Sequence, residues 1–240
     1  MIYWDRALNL GWSEPGGLID QYNPAIAMDP EFLAFNEDGS ELYLNLQDNS
    51  ALARIATATG ELLSIDGYGL KQMTGGADIV QDGECKLFTN DCLYFGKTPD
   101  GIATVEYEGT NYVFTADEGS DFDLGDYEEK FDSADLFGEG ASFAFANFTF
   151  DPAFFVPGDS TRGCAANFQA DCEANGLEWC SNFEVTVGSS AVDYSNPSAP
   201  KMSKIVGFGG RGISIYRVPQ SAIDPIELVW DSVSWKATSK

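Results

Sequence analysis

The side chains best suited to chemistry in this chain are carboxylates. Asp121, Asp123 and Asp126 stand close together, and Glu128 and Glu129 follow. Ca²⁺ takes roughly six to eight oxygen ligands, so such a cluster points first to calcium. The D-x-D-x-x-D order lacks the glycine and the terminal glutamate of an EF-hand loop. The expectation is therefore a looser Ca²⁺ site, and the competing reading is a solvated acidic loop. Arg211 lies between Gly210 and Gly212. Glycines let backbone approach a ligand, and a guanidinium clamps carboxylate or phosphate, which makes Arg211 an anion-binding candidate. The competing role is a structural pair with a nearby carboxylate. There is no histidine. That removes the commonest general base, the Ser–His and Cys–His pairs and the commonest zinc ligand.

The five cysteines fall into two local groups, Cys85 and Cys92, then Cys164, Cys172 and Cys180. No C-x-x-C pair occurs, which argues against a zinc ribbon or redox motif. The first group flanks a polar-tipped segment that could close as a hairpin loop. Two of the second group could pair in any of three ways, and the odd number leaves one thiol over. An oxidising compartment is the expectation. Asn147 starts the triplet Asn147-Phe148-Thr149, an N-glycosylation candidate that agrees with it.

Charge bounds the partners. The chain of 240 residues has 38 Asp and Glu against 13 Lys and Arg, a net charge of −25. It repels phosphate backbones and anionic bilayers, so nucleic acid is excluded as a partner class. Metal cations, mineral surfaces and basic proteins are compatible, and so is simple solubility. No apolar run reaches the length of a membrane span. The opening MIYWDRALNLGW is not a signal peptide. For a secreted protein, that leads to the expectation of a piece of something longer.

The elements that must position these groups are strands. Phe32–Phe35, Glu41–Leu46, Ala51–Ala56 and Glu61–Ile65 are short apolar or alternating runs separated by turn residues. The same grammar returns at Ile102–Tyr107 and Asn111–Ala116, and again at Ile205–Phe208, Ile213–Val218 and Ile226–Trp230. Diverged blades of a β-propeller read this way, and a β-sandwich is the rival. The expectation is one all-β domain over residues 1–240, a partial or few-bladed propeller. Two insertions interrupt it: an acidic loop at 117–140 and a Cys-containing loop at 158–200. In such blades Glu31, Gln47, Asn49, Asp100 and Glu118 occupy comparable positions. They would set several hard oxygens around one mouth of the channel, a second Ca²⁺ candidate; otherwise they are turn residues facing water.

Several segments together resemble one family. Asp29-Pro30-Glu31-Phe32 through Asp38-Gly39 resembles its "EPEY-apolar-PDG" blade opening, and Leu46-Gln47-Asp48-Asn49-Ser50-Ala51 its "LQENNA". Thr98-Pro99-Asp100-Gly101-Ile102-Ala103 resembles "PDAIA", and Thr115-Ala116-Asp117-Glu118-Gly119 resembles "TANEGD". Gly207-Phe208-Gly209-Gly210-Arg211-Gly212-Ile213-Ser214-Ile215-Tyr216 resembles "FGGRSFSIW", with Leu228-Val229-Trp230-Asp231-Ser232 after it like "LVFDSG". The chain thus resembles the choice-of-anchor I domain, a family that includes mesenchyme-specific cell-surface glycoproteins. The resemblance covers residues 28–120 and 205–232 best. It implies an extracellular propeller with phytase-like or YVTN-like blades, held at a surface by varied anchors. It also implies missing early blades, either because the chain is an incompletely built piece or because another chain completes the ring. The chain departs from the family at Asp117, where an Asn is usual, and at Tyr68–Gln72, where a His-containing segment is usual.

Two functions follow as expectations. The first is a non-catalytic extracellular scaffold or adhesion module, stabilised by Ca²⁺ and assembled with other protein chains. The second is a Ca²⁺-dependent phosphoesterase of phytase-like type. That chemistry needs cations to hold the substrate phosphate as well as acids to hold metal, and this sequence is poor in cations.

Overall fold

The computed structural model describes residues 28–79, 84–121, 123–124, 127–128, 130–137, 149–155, 163–174, 176, 180, 183–188, 191–193, 195–196 and 199–232. Four larger sheets form the blades of a four-bladed β-propeller, as the strand grammar predicted.

The first blade is a meander of β1 (Pro30–Phe35), β2 (Glu41–Leu46), β3 (Ala51–Ala56) and β4 (Glu61–Gly67), all antiparallel. Turn chemistry sets its hairpins: Gly39 and Gly60 take left-handed φ values of 71° at the two tips. Period-two alternation decides which side chains turn inward. On β2, Tyr43 and Asn45 are buried and Leu42 and Leu44 only half so.

A five-stranded sheet combines β5 (Leu70–Gln72) and β6 (Leu93–Gly96) with β11 (Lys130–Asp132), β13 (Glu184–Thr186) and β16 (Ile205–Phe208). Its order is β11-β13-β16-β6-β5, and β16 runs parallel to β6. A three-stranded sheet holds β12 (Thr149–Phe150), β14 (Val192–Asp193) and β15 (Lys201–Met202). A two-stranded ribbon joins β9 (Asp123–Leu124) to β10 (Tyr127–Glu128). Helix α1 (Ser133–Phe137) follows β11, and α2 (Cys164–Ala174) precedes β13. The segments expected as plain loop insertions, 117–140 and 158–200, therefore contain β9, β10, β11 and α1 in one and α2, β13 and β14 in the other.

The last sheet is assembled from two distant stretches. The hairpin of β7 (Pro99–Tyr107) and β8 (Thr110–Asp117) pairs with β17 (Gly212–Val218), which pairs with β18 (Glu227–Asp231). The register sets Ser214 against Thr115 and Gly212 against Asp117. Val113, Thr115 and Asp117 on β8 share one buried face with Ser214, Tyr216 and Val218 on β17.

Among the described residues three apolar clusters result, the smallest around Leu46, Ala51 and Ala53. The largest lies between the five-stranded sheet and α2, around Leu93, Phe95, Phe168, Val185 and Ile205. The remaining one joins the first blade to the last through Tyr43, Leu52, Ile102, Val113 and Tyr216. Each such side chain, buried, contributes roughly 1.5–3 kcal/mol relative to exposure. One cysteine pair crosses the expected groups, and the other is one of the three pairings open within the second group. Cys92 at the start of β6 bonds Cys164 at the start of α2, and Cys172 bonds Cys180. The local closure of Cys85 with Cys92 is not formed, because β6 packs against α2 and turns Cys92 into the core. Cys85 is the free, exposed thiol.

Candidate functional site

The family-like segments converge on one buried polar centre between the blades. Alternation along β8 turns Asp117 inward, where Thr115 Oγ1 donates to Oδ1 at 2.7 Å and Ser214 Oγ donates to Oδ2 at 2.5 Å. Burial pushes the Asp117 carboxyl above its ordinary value, although both hydroxyls and the nearby Lys97 charge act the other way. Lys97 follows β6 and is fully buried. Its Nζ lies 2.7 Å from Asp231 Oδ2 at the end of β18 and 5.5 Å from the Tyr216 ring centroid. Lys71, on β5 and also buried, approaches the other oxygen of Asp231 at 2.8 Å and donates to the Ser232 carbonyl at 2.6 Å. These two ammonium–carboxylate contacts are short but off the hydrogen-bonding directions, so Lys97 Nζ and Asp231 Oδ1 have no hydrogen-bond partner.

Neutral groups extend the network across the blades. Tyr216 Oη donates to the Tyr68 carbonyl at 2.8 Å, and Tyr68 Oη donates to Asn45 Oδ1 at 2.9 Å. Asn45 Nδ2 donates to the Pro99 carbonyl, and Ser50 Oγ donates to the Lys97 carbonyl at 2.5 Å. Burial, reinforced by Asp117, holds the phenols of Tyr68 and Tyr216 well above the usual tyrosine range. A groove of about 250 Å³ opens beside Lys71 and Asp231, floored by Met73 and flanked by Leu228.

Glycines explain how backbone comes so close. A Cβ on Gly209 would stand 1.7 Å from the Glu118 carbonyl oxygen, and its φ is +80°. A Cβ on Gly212 would meet Ser232 Oγ at 2.3 Å and Lys71 Nζ at 2.9 Å. The Gly209–Gly212 turn thus packs on Glu118–Gly119 and leaves room for the lysine.

The calcium candidates are placed differently. Glu31 and Asp100 each follow a proline at a register shift that opens a blade, β1 and β7, so their positions are equivalent. Both are exposed, as is Glu118, and Gln47 is half-buried. Asn49 is buried, and its Oδ1 accepts the Asp29 N–H at 3.1 Å. Asp121 pairs with Lys130 at 3.3 Å. Asp123 pairs in the ribbon through its backbone, and its side chain, like Asp126 and Asn147, lies outside the described residues. Among the described residues no group of three or more Asp, Glu, Cys or His is placed to hold a metal ion. Arg211 is exposed on its turn with a φ of +45°. The turn motif read from the sequence does matter, but through its glycines.

Asp48 sits at the mouth near the LQDNSA turn, accepting from Ser120 Oγ at 2.5 Å. Burial, then the charges of Asp29 and Asp121, push its carboxyl up to about 6. Sequence reading missed Asp48, Lys71, Lys97, Asp117 and Asp231 as site residues. Asp48, Asp117 and Asp231 were inside quoted motifs, and alternation from the buried strand residues could have turned the latter two inward. Nothing local marked the lysines.

A family model for the choice-of-anchor I domain matches residues 10–239. The chain belongs to the choice-of-anchor I domain family. No curated protein and no solved structure gave a match. Membership in the choice-of-anchor I family marks a cell-surface-associated module. The two disulfides agree with an oxidising setting outside the cell. Among the described residues no helix is long and apolar enough to cross a membrane.

Proposed function

We propose that this choice-of-anchor I domain is a non-catalytic extracellular module that works by binding other protein chains in a surface or filamentous assembly. The observation that carries this reading is the pair of apolar sheet edges. Phe32, Leu33 and Phe35 are exposed on β1, and Leu228, Val229 and Trp230 on β18. Among the described residues each strand is the terminal strand of its sheet, with β7 beside β1, where Thr104 Oγ1 donates to the Phe35 carbonyl. An exposed apolar edge is a template for strand pairing with another chain. The polar centre supports the same reading, since its lysines already face carboxylates and Lys97 offers no surface to a substrate. Light scattering after size exclusion tests it. Wild-type protein self-associates with rising concentration, and Val229→Lys with Trp230→Lys abolishes that while keeping the melting transition. Monomers at every concentration would refute self-assembly.

Ca²⁺ enters this proposal as a stabiliser at the mouth. The support is the electrostatic push of Asp29 and Asp121 on the Asp48 carboxyl, which a bound cation would relieve; among the described residues these acids do not form a ready ligand set. A ligand that binds only the native state raises the melting temperature. The expected result is a rise with Ca²⁺ and little with Mg²⁺; equal curves would remove the metal.

The phosphoesterase reading retains one specific support, the placement of Lys71 beside Asp231 at the groove. It predicts Ca²⁺-dependent phosphate release from inositol phosphates or p-nitrophenyl phosphate, and Lys71→Ala would abolish it.

A further inference from the structure

Two lysines meet one carboxylate at this centre. This chain has few cations, yet it places Lys71 and Lys97 in the interior against the two oxygens of Asp231. Buried ions are costly unless paired in good geometry with their hydrogen bonds satisfied. Here Lys97 Nζ has none. The roles of the two lysines are also unequal. Lys71 Nζ is tethered by the Ser232 carbonyl at 2.6 Å. Lys97 Nζ has no such tether, is fully buried, and touches Asp231 Oδ2 at 2.7 Å. Asp117 stands close enough for its charge to interact with both Lys97 and Asp231.

We propose that Lys97 and Asp231 condense to an intramolecular amide, an isopeptide cross-link that joins the end of β6 to the end of β18. In this step the Lys97 ammonium passes a proton to Asp231 Oδ2, which it touches at 2.7 Å. The freed Nζ lone pair attacks Asp231 Cγ, and the N–C bond forms. Lys71, against Oδ1, stabilises the negative charge that grows on that oxygen. A second proton moves from nitrogen to Oδ2, and the C–O bond breaks to release water. The amide keeps one hydrogen on nitrogen. One ammonium and one carboxylate become one amide and one water, with no oxidant or reductant.

Two physical conditions for such a reaction coincide here. The reacting groups are held in contact, which replaces an improbable encounter with a positioned one. Lys97 is fully buried, so water does not compete with it for Asp231 from that side, while Asp231 keeps a partial opening through which the released water can leave. Glycine at 212 is part of the arrangement, since a Cβ there would collide with Lys71 Nζ and Ser232.

The test is mass spectrometry of the full chain after reduction and denaturation. The expected intact mass is lower than the sequence mass by one water, and proteolysis yields a branched peptide joining Lys97 to Asp231. Lys97→Arg and Asp231→Ala, checked for a cooperative melting transition, keep the full mass. If those variants fail to fold, the wild-type peptide map decides alone. Folded wild-type protein at full mass overturns the proposal. So does a lost water that maps to a succinimide at an Asp–Gly pair such as Asp100-Gly101, which hydroxylamine cleaves. A branch from Lys71 instead of Lys97 overturns the assignment of the nucleophile.

Discussion

Asp48 lies where three carboxylates crowd one mouth of the propeller. Its folded-state value of about 6 stands above its ordinary 3.8, through burial first and repulsion second. The folded protein therefore holds this proton more tightly than the unfolded chain. The stability it contributes is complete below about pH 4 and is lost as pH rises through 6. Asp48→Asn removes that loss. We expect it to stabilise the protein at pH 7.5 by about 1 kcal/mol after solvent screening, with no difference at pH 4 in thermal melts. Arg54 shows the opposite economy. It is buried in β3 and holds Glu41 through Nε at 3.1 Å and Nη2 at 3.0 Å. Glu41→Ala strands a buried guanidinium and should cost about 3 kcal/mol in denaturant unfolding. Arg54→Met with Glu41→Leu should cost clearly less, because the double change strands no charge.

Disulfides act at the scale of elements. Cys92–Cys164 joins β6 to α2 across a sequence separation of 72, whereas Cys172–Cys180 closes one of 8. Chain-entropy arguments give about 4 kcal/mol for the long loop and about 3 kcal/mol for the short one. Replacing Cys92 and Cys164 with Ala should therefore lower the melting temperature more than replacing Cys172 and Cys180. The order of the two losses is the measurement that checks it. The strands show how far local pattern reaches. The alternating run at Glu41–Leu46 was read with its observed bounds, as was Ala51–Ala56. Lys130–Asp132 escaped notice inside an acidic stretch, because its strand state depends on pairing with Glu184–Thr186. Composition alone cannot report a partner so far along the chain.

Charge acts on the whole molecule. A net charge of −25 makes the compact state repel itself. Raising NaCl from low to physiological concentration shortens the screening length from about 30 Å to about 8 Å. The melting temperature should rise over that range and then level off, and a flat profile would show that the acidic groups are compensated locally. The sequence by itself determined the strand grammar, the acidic surface, the absence of histidine chemistry and the family, since each is written in local order or in composition. Glu31 and Asp100 each follow a proline at a register shift, and both are exposed. The pairing of Cys92 with Cys164 and the meeting of Lys71, Lys97, Asp117 and Asp231 were decided only by tertiary structure. Those contacts join a strand end to a helix and one sheet to another, and no local periodicity encodes which ends will share one interior. The glycines at 209 and 212 stand between the two cases: visible as a motif in sequence, they acquire a reason only when Glu118 and Lys71 press against them.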